Sequence, residues 1–186
     1  KTTTRMAGYL YFLFAQAGAL LIFAAFGVAY SHTGDLDFAK FATIPAEAKL
    51  IVFFLTFLGF GSKAGVFPLH IWLPPAHAGA PAAASAVLSA LVIKGSWFLV
   101  VRLWFDVMPG VVTLSAAQLL AGLGAAAIVV GSVVALRQER LKLLVAYSTI
   151  AQIGYLFLMF PLAFDAAGST LVHGPALTGG LLQAVS

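Results

Sequence analysis

The chain has 186 residues, of which 62% are hydrophobic and 9% charged, and its mean hydropathy is +1.03. An ordinary soluble domain is about 25% charged, and one of this size could not hide so much apolar surface, which excludes a cytosolic globular enzyme and a disordered region. Cys is absent, which excludes a disulfide framework and a thiolate site, and the net charge of +4 is scattered, which favours basic membrane loops over nucleic-acid binding.

A bilayer core of about 30 Å takes about 20 apolar residues in a helix. The first candidate span runs from Met6 to Tyr30 without a charge. The polar stretch Ser31 to Lys49 follows, with His32, Asp35, Asp37, Lys40, Pro45, Glu47 and Lys49. The second span starts at Leu50, stays apolar to Gly61, and is then interrupted by Lys63, Gly65 and Pro68 before Trp72. The third covers Ala82 to Phe105, holds Lys94 near its middle, and is closed by Asp106, Pro109 and Gly110. The fourth, Leu114 to Leu136, is uncharged and rich in small residues (Gly122, Gly124, Ala125, Ala126, Ala127, Gly131), which suits close helix packing. The loop Arg137 to Lys142 leads into a fifth span from Leu141 to Phe164. Pro161, Asp165 and Gly168 break the chain before a final partial span.

No period of 20–50 residues repeats, so one transmembrane domain over 1–186 is the simplest parse. The fold class expected is all-α, a polytopic bundle. Because the chain starts at Lys1 and its last stretch reads as a helix in progress, it is read as a piece of a longer protein. Alternate loops collect Lys1, Arg5, Arg137, Arg140 and Lys142 against Lys40, Lys49 and Arg102. The basic excess places Lys1 and the Arg137–Lys142 loop in the cytoplasm.

Lys63 and Lys94 carry the chemical message. Continuous helices would set them about 20 Å and 18 Å into their spans. A charge near the bilayer centre costs at least about 2.5–3.5 kcal/mol on insertion scales, so such residues face protein or water and are functional by default. One intramembrane Lys reads equally as an ion-pair partner; two in successive spans fit a proton relay. Gly65 and Pro68 mark a helix break, since Pro removes a donor and clashes one turn back. Broken helices near the midplane are where transporters bind ions.

Free histidine titrates near neutral pH, so His70 and His77 suit either a relay or a hydrogen-bonded structural role. Neither has a second ligand at metal spacing, so no metal is expected, and no cofactor motif is present. Trp72 reads as an aromatic-belt residue. Tyr147, Ser148, Thr149 and Gln152 add hydroxyls and an amide inside the fifth span, which either line a water chain or bond helix to helix. His32 and His173 receive no function.

The stretch Gly61-Ser-Lys63-Ala-Gly-Val-Phe-Pro68-Leu-His70-Ile-Trp72-Leu-Pro74-Pro-Ala-His77-Ala-Gly-Ala-Pro81, followed by Ser85, Ser89, Lys94-Gly95 and Arg102, resembles the core signature of the antiporter-like subunits of respiratory complex I. The same family includes Mrp sodium/proton antiporter subunits, membrane subunits of hydrogenases and formate hydrogenlyase, and membrane partners of inorganic-carbon uptake systems. Arg140-Leu-Lys142-Leu-Leu-Val-Ala-Tyr147-Ser148-Thr-Ile-Ala-Gln152-Ile-Gly154-Tyr155 resembles a second family block. The resemblance implies two inverted five-helix repeats, of which this piece matches the sixth to tenth helices and the start of the eleventh.

Lys63 then matches the central lysine of the proton path and Lys94 the bridging lysine on the following helix. The family's glutamate partner and its next relay lysine or glutamate fall before Lys1 and after Ser186. Some members carry His where Gln152 stands, and an amide cannot hold and release a proton.

The function expected is proton translocation through Lys63, Lys94, His70, His77, Ser148, Gln152 and water. The alternatives are a structural membrane anchor and a membrane partner of an inorganic-carbon uptake system. Expected partners are the lipid bilayer, other membrane subunits, and soluble redox or other energy-coupling subunits. The expected location is a prokaryotic inner membrane.

Overall fold

In a computed structural model of the chain, residues 2–165, 167–172 and 174–185 are described. Lys1 and His173 lie outside them. The described residues are nearly all helical, and five helices are long and apolar enough to cross a membrane: Arg5–Thr33, Ala46–Gly79, Ala82–Val107, Leu114–Leu136 and Leu141–Leu162. They alternate in direction. A further helix, Pro175–Val185, starts at a proline, whose missing N–H costs nothing in a first turn.

The second span begins at Ala46, four residues before the expected start, with Glu47 in its first turn, where the helix dipole favours an acid. Lys49 is therefore helical, and its Nζ donates to the carbonyl of Ala42 at 2.7 Å. The preceding loop is less polar in structure than in composition. A short 3₁₀ helix, Phe38–Thr43, places Phe38 and the fully buried Phe41 against Phe26 of the first span, with ring centroids 5.2–5.3 Å apart and edge-to-face. Three aromatic rings thus seal one end of the first pair of spans.

The fourth and fifth spans approach almost backbone to backbone. A Cβ on Gly124 would come within 2.6 Å of the Gly154 carbonyl oxygen, and one on Gly131 within 2.8 Å of the Tyr147 carbonyl oxygen. The first and second spans meet the same way, with Gly18 beneath Ser62 and Gly59. In lipid, where apolar side chains gain little by meeting, such contact through small residues supplies the packing energy.

The third span ends at Val107, and Arg102 pairs with Asp106 one turn on at 2.7 Å. This exposed pair contributes only a few tenths of a kcal/mol, about 0.3–0.5. At the opposite end of the bundle, Lys142 Nζ donates to the Ala80 carbonyl at 2.8 Å. That bond ties the start of the fifth span to the turn between the second and third, and Arg137 and Arg140 share this end of the bundle.

After the fifth span, Asp165 holds a tight loop. Its carboxylate accepts from the Thr170 hydroxyl (2.8 Å), the backbone N–H groups of Thr170 and Ser169, and the Ser169 hydroxyl. These donors, the Thr170 hydroxyl foremost, pull the carboxyl from 3.8 down to about 2. A depressed folded value means the contribution to the loop is present above the unfolded value and is lost as pH falls through about 2. Amide-exchange protection of Ser169 and Thr170, corrected for intrinsic rates, is expected to fall across that interval. Protection unchanged across it would contradict the assignment.

Candidate proton-transfer site

The helix break falls where Gly65 and Pro68 placed it. The first segment of the second span, Ala46–Ala64, is capped by Gly65 at φ +74°. That left-handed conformation favours glycine over any side chain. A 3₁₀ turn, Leu69–Trp72, and a short helix, Leu73–Gly79, complete the span, and the Phe67–Pro68 bond is cis.

A break leaves the last carbonyls of the first segment without their helical donors. The Gly61 carbonyl keeps its helical donor, the Gly65 N–H, and also accepts from Val66 N–H at 3.0 Å, while the Ser62 carbonyl accepts from the Trp72 indole Nε1–H at 2.9 Å. Trp72 is 3% exposed. It is not an aromatic-belt residue; it is an internal strut, because the free carbonyl across the break offers its N–H a partner that an interface position would find in water. Trp72→Phe is expected to leave that carbonyl unpaired and to cost about 1–3 kcal/mol. A thermal midpoint of the solubilised subunit unchanged by the substitution would remove the strut.

Lys63 sits in the last turn before the break, partly buried, with its Cγ 3.6 Å from where a Cβ on Gly18 would lie. It opens onto a small cavity of about 50 Å³ lined by Tyr11, Phe14, Ala15, Ser62, Trp72 and Val92. Lys94, also partly buried, opens onto a larger cavity of about 170 Å³, lined by Ser89, Thr149, Gln152 and Gln183 on its polar side and Ile93, Ile153 and Leu156 on its apolar side. No carboxylate lines either cavity among the described residues. Val92 belongs to the Lys63 cavity and Ile93 to the Lys94 cavity, so the third span is the wall between them. Ile153 joins the Lys94 cavity to the helix break: it lines that cavity, and its Cδ1 would lie 3.7 Å from a Cβ on Gly65.

The two histidines are buried on the far side of the break. His70 stacks on Phe67 at 5.0 Å and lies beside Gly65; its Nδ1 is buried without a hydrogen-bond partner among the described residues. His77, fully buried, pairs through Nδ1 with the Ser85 hydroxyl across the Ala80–Pro81 turn, and its Nε2 has no partner among the described residues. Buried polar atoms of this kind are rare enough to call for an explanation.

The fifth span presents Thr149, Gln152, Ile153 and Leu156 to the Lys94 cavity. Their spacing of three, four and seven residues defines one helix face. Ser148, named from the sequence, does not line this cavity, because one residue turns the helix through about 100°. Thr149 takes its place. Ser89 stands in the signature block and Thr149 in the hydroxyl run of the fifth span, but neither is on the proton path expected from the sequence, and Gln183 is not singled out there.

A membrane bundle with a broken span, an amine at the break and a second amine on a polar cavity is an antiporter-like architecture. The family model described as NADH:quinone oxidoreductase/Mrp antiporter, TM matches residues 1–176. The chain belongs to that family. It is 39% identical over 187 residues to Hydrogenase-4 component B of Escherichia coli (strain K12), covering 98% of this chain and 27% of that protein. It is 32% identical to NADH-quinone oxidoreductase subunit N of Desulforudis audaxviator, covering 97% of this chain and 36% of that protein. A subunit in the structure of the Mrp complex from Dietzia sp. DQ12-45-1b shares the fold, with a TM-score of 0.81 and 21% identity over 97% of this chain and 32% of that one. The chain thus spans roughly a quarter to a third of the proteins it resembles. Integral-membrane, antiporter-like chains are its class.

Proposed function

We propose that this chain is the part of a membrane subunit through which protons cross, passing from the break at Lys63 to the Lys94 cavity. The observation that carries the reading is the pair of cavities, each opened onto by one lysine and neither lined by a carboxylate among the described residues. An ammonium buried for structure alone would be expected to meet an acid. An amine, unlike a guanidinium, can take up and release a proton.

A cavity of about 170 Å³ exceeds what one water needs several-fold, and Ser89, Thr149, Gln152 and Gln183 offer the polar partners that ordered water requires. Two ammonium groups on cavities separated only by the third span repel each other through its low-dielectric wall. A proton arriving at Lys63 therefore favours release from Lys94. In this reading His70 and His77, each with an unpartnered ring nitrogen among the described residues, pass protons between the break and the end of the bundle that carries Lys142. Gln152 contributes by holding water, since its amide does not titrate.

In this reading the subunit resides in a prokaryotic inner membrane beside other membrane subunits. Soluble redox or other energy-coupling subunits supply the drive, and the Lys142 end faces the cytoplasm. The test is proton uptake by vesicles carrying the intact assembly, driven by its own partner reaction. Uptake is expected to persist when sodium is replaced by choline. An assembly that turns over with no proton movement in either medium would overturn the reading.

A further inference from the structure

Lys94 and Ser89 line the same cavity, yet they are five residues apart. In a straight α-helix, at 3.6 residues per turn, a five-residue separation places two side chains about 140° apart. The third span resolves the conflict with a π-helical turn, Leu88–Val92, in which the Ile93 N–H bonds to the Leu88 carbonyl five residues back. One extra residue in the turn stacks position 94 over position 89 and leaves Val92 facing the Lys63 cavity instead. π turns are rare and occur frequently at functional sites.

The turn is anchored from the fifth span. Ser89 Oγ lies 2.9 Å from Thr149 Oγ1, and Thr149 Oγ1 donates to the Val145 carbonyl at 2.9 Å. A threonine hydroxyl has one proton. With that proton on Val145, Ser89 is the donor to Thr149, so the bridge has a fixed direction and the Ser89 oxygen keeps lone pairs for the cavity. No other side-chain hydrogen bond links the third span to the fifth among those described for these residues.

We propose that the π turn Leu88–Val92 is the device that aims the Lys94 amine into its cavity, and that Ser89, bonded to Thr149, is the positioning residue that holds the turn in register. The proposal rests on the reading of Lys94 as a proton carrier for its purpose, but not for its geometry. Relaxation of the turn to α-helix would swing position 94 away from Ser89, Thr149 and Gln152.

The test uses the full-length subunit in its assembled complex. The chain contains no Cys, so Lys94→Cys gives one reactive thiol within it. Its labelling rate with a charged methanethiosulfonate, read on the peptide carrying position 94, reports water access. Adding Ser89→Ala is expected to slow labelling about five-fold, the scale of one lost hydrogen bond, while adding Ser89→Thr keeps the parent rate. With Lys94 in place, Ser89→Ala is expected to lower proton uptake by a similar factor and Ser89→Thr to restore it. Equal labelling with Ser89 and Ser89→Ala would overturn the inference even if Lys94→Ala stops pumping. Normal pumping by Lys94→Ala, with the labelling contrast intact, would overturn the relay reading and leave the positioning role of Ser89 standing.

Discussion

Lys63→Ala in the intact assembly is expected to lower proton translocation on the order of a thousand-fold, within the range one positioned acid–base group contributes. The complex should remain assembled. Removing a buried charge also removes its desolvation cost, so stability need not fall. Lys63→Arg is expected to fail as well, because a guanidinium stays charged at any accessible pH. A structural anchor would give the opposite order: Arg would preserve assembly and coupling, and Ala would disrupt the complex by leaving a partner charge unpaired. The two readings are separated by measuring proton uptake and assembly together in both variants. The position at the break sharpens the expectation. Lys63 lies one residue before the last residue of its helical segment, next to backbone already held open by the Trp72 bond to Ser62.

Lys94→Ala is expected to lower proton translocation about a hundred-fold, the lower end of the same range. The smaller loss follows from the cavity itself. Ser89, Thr149, Gln152 and Gln183 remain to hold water when the amine is gone. Water alone conducts but does not store a proton, so the coupled cycle should fail before passive leakage does. Proton uptake under drive, compared with leakage in the absence of drive, reads the two quantities separately. Unchanged driven uptake in Lys94→Ala would mean that the larger cavity is not on the path.

The architecture was legible because a bilayer imposes a length and a polarity on each span. Five apolar runs stand out in the sequence, and the structure moves their ends by three residues or fewer, except in the second span, which starts four residues earlier and runs seven past Trp72 to Gly79. The break was legible because Gly65 and Pro68 each act through the backbone: one permits a positive φ, the other removes a donor. The rest depended on tertiary direction. Trp72 looked like a belt residue because its composition class fits an interface; only the fold brings the Ser62 carbonyl, ten residues back, to its indole. Ser148 and Thr149 carry the same hydroxyl, and one step around the helix decides which meets the Lys94 cavity.

The π turn at Leu88–Val92 has no residue signature, since Leu-Ser-Ala-Leu-Val forms an α-helix equally well. Phe38 and Phe41 were read as part of a polar loop because Asp35, Asp37 and Lys40 surround them. In the structure Asp35 pairs with Lys40 at 2.6 Å on the outside, and the rings turn inward to Phe26.

The central claim is that one path runs through both lysines. It is tested most directly by proton uptake in vesicles carrying the intact assembly with Lys63→Ala, Lys94→Ala and the two combined. Groups that act in series are not additive. The account predicts that the double variant falls to the level of Lys63→Ala and no further, with assembly retained. Uptake at the native rate in the double variant, in an assembled complex, would contradict it.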